Sequence, residues 1–439
     1  MTKGITFISV CGYKSLAKKV TIDVRPLTIL AGANSSGKSS IMQPLLMMKQ
    51  TLDESYDPGD LKINGPHVKF TLVDQLLTKV LDNKLSEKYK IGIEIDQNEQ
   101  IIETFKKREK KSIEITEMIY KNKEKDIIYM LAPGMTQEQI LNINPNITRR
   151  FGKLKHGKIE YDTLKIERDR CFLDLTLNST RRTSSGRTPL VDTGPFINSI
   201  QGIIHVPALR GNPRRNYDVA AVGSTFPGTF ENYISSIINN WQVNGDLRIN
   251  DLSRSLEMLG LTWKVSARPV NDTNVEILVG RLPHNVNRIE ADGEADLVNI
   301  SDVGFGISQT LPVLVALLAA EPNQLVYIEQ PEIHLHPRAQ VAMAQILANA
   351  AKRGVQVVVE THSSFLLKGI QTLVAEGSLS PDIVKLHWFQ RGEDGITEVR
   401  SADLDKAGAF GDWPEDFADI EIESEKSYLD AATSQLEMV

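Results

Sequence analysis

Eight consecutive residues, Gly32-Ala33-Asn34-Ser35-Ser36-Gly37-Lys38-Ser39, meet the pattern G-x-x-x-x-G-K-[ST] at every position. Each residue type suits a polyphosphate. The glycines let successive backbone N–H groups curl round an anion, and the Lys38 ammonium neutralises the outer phosphate oxygens. The Ser39 hydroxyl can face Mg²⁺, and a helix starting there points its positive end at the same charge. About 0.01–0.02 such matches arise by chance in a chain of this length at average residue usage. The pattern therefore argues for nucleotide binding over a plain serine-rich helix cap.

Two later stretches supply the other half of such a site. Leu325-Val326-Tyr327-Ile328-Glu329 is an apolar strand ending in an acid, where a P-loop enzyme holds its magnesium water. Val355 to Val359 is a second apolar run; it leads into Glu360-Thr361-His362-Ser363, with His362 placed as a γ-phosphate sensor. Alone, each has a bland explanation, since buried strands often end in an acid and strand-exit histidines are often hydrogen-bonded core residues. Both gain meaning from the P-loop upstream. His334-Leu335-His336 has the spacing of a metal pair but lacks a third ligand nearby, so a structural loop role is expected rather than zinc.

The elements that must position these residues show in the hydrophobic pattern. Ile5 to Val10 and Val20 to Val24 alternate as half-buried strands, and Leu27 to Ala31 is an apolar strand feeding the glycine-rich loop. Ser39 to Gln50 follows with helical spacing at Ile41, Leu45, Leu46 and Met48. Gly202 to Val206 reads as a buried strand, 230–241 and 252–259 as helices, and 262–266 and 274–279 as strands. Beyond Ile300 the chain alternates: helix at 311–320, strand at 325–329, helix at 338–353, strand at 355–360, helix at 365–375. Such alternation implies an α/β fold whose parallel strands carry ligands at their carboxyl ends.

The middle of the chain is harder to read. From Glu99 to Asp126 eight Lys/Arg face seven Asp/Glu, with Lys106-Lys107-Arg108 and Lys110-Lys111 crowded together, and a solvated helical excursion is expected. Arg149 to Arg187 carries a local charge of +6, and Pro133-Gly134, Pro145 and Ser184-Ser185-Gly186 suggest loops. Residues 97–200 are expected to form an inserted second lobe between ATPase segments 1–96 and 201–415, with an acidic tail over 416–439 that is mobile near its end. Composition adds exclusions. With 41% hydrophobic and 24% charged residues the chain is neither disordered nor collagen-like, and its net charge of −6 restricts any nucleic-acid site to a local patch. Two cysteines, Cys11 and Cys171, point to a reducing compartment rather than a disulfide scaffold. The longest clean apolar run, Leu311 to Ala320, falls short of the ~18 residues of a membrane span, and no signal peptide opens the chain, so a cytoplasmic protein is expected.

In combination these motifs resemble the ABC-superfamily ATPases of the SMC/RecF branch. More closely, they are similar to stand-alone bacterial ATPases akin to the overcoming-lysogenisation-defect ATPase domain and to anti-phage (Septu-like) ATPase subunits. The likeness covers roughly 1–60 and 200–415. Its residues are Gly12-Tyr13-Lys14-Ser15, the P-loop, Leu209-Arg210-Gly211, Asp302 to Gln309, Glu329-Gln330-Pro331-Glu332 with Ile333 to Pro337, Glu360 to Ser363, and Trp413-Pro414. It implies a P-loop NTPase of ABC type, a mixed sheet flanked by helices, with ATP and Mg²⁺ as cofactors. Gly32 to Ser40 would be the Walker A loop, Glu329 the Walker B acid that joins Ser39 at the metal, and His362 the switch histidine. Val303 to Gln309, with Gly304, Gly306 and Ser308, would be the signature segment that completes the site of a second copy in a nucleotide-sandwiched dimer. Gln75 is a candidate Q-loop glutamine, with an ordinary exposed helix position as the plainer account.

Two departures from the family pattern matter. Gly304 stands where the signature has a serine, so Ser308 or the Gly306 backbone would have to serve. Gln330 stands where a catalytic glutamate is usual, and an amide cannot accept a proton. Either Glu332 or His362 substitutes, or turnover is slow, or Gln330 is an ATP-trapping replacement; slow native hydrolysis is the favoured expectation. Three roles follow. One is an ATPase sensor acting with a separate effector (a nuclease or toxin) in anti-phage defence. Another is a DNA-structure clamp using the basic insertion and Arg210, Arg214 and Arg215. The last is an ATP-binding scaffold without useful turnover. The first is preferred.

Overall fold

The computed structural model describes residues 4–79, 86–108, 112–150, 162–181, 184–281, 296–411, 426–430 and 433. Strands β1 (Ile5–Cys11), β2 (Val20–Asp23) and β3 (Leu27–Gly32) lead into helix α1 (Lys38–Leu52). Then come β4 (Lys88–Ile95), β5 (Glu99–Lys107), β6 (Ile113–Asn122), β7 (Ile127–Leu131), α2 (Gln137–Ile143) and α3 (Pro145–Arg150). β8 (Asp162–Asp169), β9 (Phe172–Arg181), β10 (Ser184–Pro189), α4 (Gly194–Gln201), β11 (Ile204–Val206) and β12 (Tyr217–Asp218) follow. Next are α5 (Ile234–Val243), α6 (Arg248–Met258), β13 (Val265–Asn271), β14 (Asn274–Gly280) and β15 (Leu297–Asn299). The last stretch alternates: α7 (Phe305–Ala319), β16 (Leu325–Glu329), α8 (Pro337–Lys352), β17 (Gln356–Thr361), α9 (Ser364–Ala375), β18 (Val384–Arg391) and β19 (Thr397–Ala402).

The sheet that matters for chemistry has the order β11-β16-β17-β3-β18-β19, parallel from β11 to β18 with β19 antiparallel at its edge. Its strands are apolar on both faces because both faces are covered. Leu27, Ile29, Ala31, Val326, Ile328, Val357 and Val359 enter one core with α7, α8 and α9, while Leu30, Leu325, Tyr327 and Val358 enter a second core with α1. That alternation is the period of two that strand geometry imposes. Buried along almost its whole length, α1 lies between this sheet and an antiparallel one of order β2-β1-β4-β5-β6-β7. Among the described residues no helix is long and apolar enough to cross a membrane.

The central region departs from expectation. Residues 99–126 form strands, not a helix: β5 pairs β4 and β6 pairs β5, antiparallel throughout. Burial in β6 alternates, with Ile113, Ile115, Met118 and Tyr120 inward and Glu114, Glu117 and Lys121 less buried between them. A balanced charge count cannot separate a helix face from a strand face; the spacing of the isoleucines can. The 96/97 boundary falls inside the β4–β5 hairpin, within one continuous sheet, so no separate lobe begins there. Ser184-Ser185-Gly186, expected as a loop, opens β10 against β9, and Pro145 begins α3 rather than a loop. Lys110-Lys111, Trp413-Pro414 and most of the acidic tail lie outside the described residues.

Inside the second core Glu103 is 1% exposed, and neither carboxylate oxygen has a hydrogen-bond partner among the described residues. Burial drives its pKa well above the ordinary carboxylate value. A raised folded pKa means the native state holds a proton that the unfolded chain releases above about pH 4.5. Stability from this group is full below that pH and is lost as pH rises toward the folded value. Glu103→Leu should therefore stabilise the chain by about 1–3 kcal/mol at pH 8 and much less at pH 4.5. Thermal melts of both proteins across that range check it; an equal shift at both ends would show that packing, not ionisation, is responsible.

Candidate nucleotide site

The carboxyl ends of β3, β16, β17 and β18 come together on one edge of the parallel sheet, and a cavity of about 830 Å³ opens there. The chain turns out of β3 at Gly32, with φ 142° and a Cβ position that would lie 2.2 Å from the Phe389 carbonyl oxygen. At Gly37, the residue before α1, φ is 101° and a Cβ would meet the Thr397 hydroxyl at 2.6 Å. Only glycine fits either place. Thr397 donates to the Ser36 carbonyl at 2.7 Å, and its N–H to the Ser15 carbonyl at 2.8 Å, so β19 and the first turn clasp the loop from outside.

Asn34, Ser35, Ser36, Gly37, Lys38, Ser39 and Ser40 line the cavity, with Gly32 and Ala33 behind them. Lys38 is buried, and its ammonium donates to the carbonyls of Gly32 at 3.0 Å and Ala33 at 2.8 Å. Burial lowers its pKa, against the charges of Glu360 and Glu332, which raise it. A glycine cradle, an N-terminus of a 15-residue helix and a buried cation are the donors that a nucleotide's phosphates need. Ser39 and the strand-end acids are hard oxygen donors of the kind that hold Mg²⁺ beside phosphates.

The expected catalytic residues separate on inspection. Gln330 lines the cavity in a left-handed conformation, φ 47°, with its N–H donating to the Glu360 carbonyl at 2.7 Å. His362 lines it too; burial and then the Lys38 charge lower its pKa, which favours the neutral imidazole. Glu332 does not line the cavity. It accepts from the His362 N–H at 2.8 Å and so holds the histidine's backbone.

Glu329, expected at the metal, does not line the cavity. It sits 3.2 Å from His205 Nε2 and accepts from the Ala208 N–H at 3.2 Å. Burial would raise its pKa, but the His205 and Ala208 bonds outweigh this and hold the carboxyl below its usual value. Behind His205 stands His67, Nδ1 to Nδ1 at 3.2 Å, whose pKa burial and its neighbours push down to about 2. The acid that meets Ser39 is Glu360: the Ser39 hydroxyl donates to its Oε1 at 3.0 Å and the Tyr327 hydroxyl to its Oε2 at 2.9 Å. The site reading of the sequence left Glu360 out, although its signal, an acid ending a buried strand, was the one that singled out Glu329. Lys14 was also missed. It lines the cavity, donates to Gln43 at 2.6 Å, and burial lowers its pKa to about 8. Gln75 reaches the cavity wall, but its side-chain oxygen accepts from the N–H groups of Thr71 and Leu72 and caps its own turn.

Gly304, Gly306 and Ser308 lie outside this cavity. Gly304 caps α7, and the Ser308 hydroxyl donates to the Phe305 carbonyl at 3.1 Å and lines a second cavity. His336 accepts from the Arg338 N–H at the start of α8. Among the described residues, several of the basic side chains offered for nucleic acid have partners of their own. Arg210 is 8% exposed and donates to the carbonyls of Gln309, Glu329 and Gln330. Arg215 is paired with Asp302, Lys106 with Glu87, Lys107 with Asp74, Arg168 with Asp57 and Asp60, and Arg187 with Glu167.

A family model described as "AAA domain, putative AbiEii toxin, Type IV TA system" matches residues 27–368. No curated protein matches the chain. Among solved structures, an SmcHead bound to the C-winged helix domain of ScpA is similar at 14% identity and TM-score 0.49, covering 92% of this chain and 99% of that one. The Smc head domain of Pyrococcus furiosus with an extended coiled coil, bound to the C-terminal domain of ScpA, gives 12% and 0.47 over 92% and 98%. The SMC head domain from Thermotoga maritima gives 11% and 0.39 over 91% and 100%. At such scores the fold assignment rests on strand order and the P-loop. The family match runs unbroken from the first residue of β3 past His362, taking in the P-loop and both strand-end acids, and the chain accordingly belongs to this AAA-domain family of P-loop ATPases.

Proposed function

We propose that this chain binds ATP with Mg²⁺, hydrolyses it slowly, and uses the nucleotide to hold two copies head to tail. In this reading it is a sensor or regulator of a separate effector in bacterial anti-phage defence. The observation that carries the ATPase is the gathering of Lys38, Ser39, Gln330, Glu360 and His362 round one cavity at the carboxyl edge of the sheet. Magnesium, when bound, neutralises charge on the phosphate oxygens. Lys38 and the loop N–H groups hold the β- and γ-phosphates, and the neutral His362 ring meets the γ-phosphate. The Gln330 amide orients the attacking water but cannot take its proton, which keeps turnover slow. Water adds at the γ-phosphorus as the bond to ADP breaks, and its proton passes to the oxygens of the departing phosphate. The family's description, which names a toxin of a type IV toxin–antitoxin system, supports a defence role.

The dimer is supported by the face round the start of α7. Phe305 is 54% and Leu209 92% exposed, large apolar side chains that a lone chain leaves in water. Their segments are joined by Arg210 donating to Gln309 and Gln309 donating to the Gly211 carbonyl. At Gly304 φ is −62°, and a Cβ there would meet nothing within 4 Å. Gly304→Arg should therefore fold with an unchanged melting temperature yet lose ATP-dependent dimerisation. Light scattering on the eluting protein, with and without ATP, decides it; a variant that dimerises like the parent removes the signature segment from the interface.

A further inference from the structure

At Gln330 the chain leaves β16 through a left-handed turn, φ 47°. A residue with a side chain keeps that conformation only where its surroundings over-determine it. Three hydrogen bonds do so here. The Gln330 N–H donates to the Glu360 carbonyl at 2.7 Å, and Arg210 Nη2 donates to the Glu329 carbonyl at 2.8 Å and to the Gln330 carbonyl at 3.3 Å. One nitrogen thus holds the peptide planes on both sides of the Gln330 Cα, and the rotation between those planes is all the freedom that the residue's backbone has. The other terminal nitrogen, Nη1, donates to the Gln309 carbonyl at 3.1 Å in the second turn of α7, and the Gln309 side-chain amide donates to the Gly211 carbonyl at 3.2 Å. Arg210 is buried, and burial lowers its pKa to about 10, which leaves the guanidinium charged at neutral pH. Its printed bonds all go to main-chain carbonyls of two separate elements, the exit of β16 and the start of α7. Burying a cation is a poor way to gain stability, so its place between those elements points to another role.

We propose that Arg210 is a positioning residue for hydrolysis: it holds the turn that lets the Gln330 side chain line the nucleotide cavity, and it makes that turn depend on where α7 stands. This rests on the ATPase reading of the site. A guanidinium suits the task because its planar fork reaches both elements at once in a fixed geometry, whereas an ammonium is a point charge on a flexible stem. Loosening the fork leaves Lys38 and the loop N–H groups untouched, so nucleotide affinity is not the quantity that responds. The chemical step responds, because a displacement of about 1 Å at a reacting group costs about a hundredfold in rate.

The test is single-turnover hydrolysis of radiolabelled ATP with the full chain in excess, and nucleotide affinity is measured alongside by fluorescence. The parent, Arg210→Lys, Gln330→Ala and the double variant are compared. Arg210→Lys should slow hydrolysis by about ten- to a hundredfold and keep nucleotide affinity within about threefold of the parent. Gln330→Ala should also be slow. Adding Arg210→Lys to it should cost no more than about twofold further, because a residue that acts through Gln330 then has nothing left to position. A general structural part for Arg210, or one exerted only through dimerisation, would instead slow both Gln330 backgrounds by the same factor. That outcome overturns the proposal, as does parent-like hydrolysis by Arg210→Lys or a loss of affinity that matches its loss of rate. Should Arg210→Lys not fold, Arg210→Gln takes its place under the same expectations, its amide still able to donate to a carbonyl. Hydrolysis by the parent no faster than by Lys38→Ala would mean that the ATPase reading itself has failed, and this proposal falls with it.

Discussion

Lys38→Ala should cost about 10–100-fold in ATP affinity and about a thousandfold in turnover. The first figure follows from losing one charge-assisted contact to phosphate, worth about 1.5–3 kcal/mol. The second is larger because the ammonium faces charge that grows on the γ-phosphate oxygens, and removing one preorganised donor of that kind costs about 10²–10³ in rate before any loss of positioning. The chain keeps this cation at a price: burial lowers its pKa, and only the loop carbonyls of Gly32 and Ala33 and the charges of Glu360 and Glu332 hold it in place. Lys38→Arg should fail nearly as badly, because a planar fork cannot take the place of a compact point charge between two carbonyls. Phosphate release and nucleotide titration measure both variants. Parent-like turnover by Lys38→Ala would mean that the loop is a structural turn and the family's chemistry has been lost here.

How much of this could be read from the chain depends on what each residue advertises locally. β3, β16 and β17 are buried on two faces, so they appear as unbroken apolar runs, and glycines forced by a close backbone leave a recognisable pattern at 32 and 37. The charged strands β5 and β6 were obscured by their solvent-facing lysines and glutamates, although Ile101, Phe105, Ile113 and Ile115 kept the buried rhythm. Long-range pairing was invisible. Nothing in Arg210 announces that its guanidinium will be spent on three carbonyls, and nothing in His205, a histidine in a short apolar strand, announces that it will stand 3.2 Å from the Glu329 carboxylate. The distinction between Glu329 and Glu360 is of this kind. Both end a buried strand in an acid, and only the packed sheet decides which one meets Ser39.

Gln330→Glu should raise turnover by about a hundredfold, the low end of what a positioned general base contributes. The backbone already suits the exchange, since φ 47° is no harder for glutamate than for glutamine and the N–H bond to the Glu360 carbonyl is untouched. The side chain would point into the same cavity as His362. It would, however, join an acidic neighbourhood: Glu360 is raised by burial and by the charge of Glu329, and a new carboxylate beside it is raised in turn. A base with a raised pKa is inactive while protonated, so the gain should be small in mild acid and grow as pH climbs through that pKa, with the parent's profile flatter. A pH–rate series on both proteins separates the outcomes. A rise that follows this profile means that the amide is what slows the native chain, which then spends most of its cycle closed on ATP. No gain at any pH would place the slow step after proton transfer, such as in release of phosphate, and would leave His362 sufficient for the chemistry.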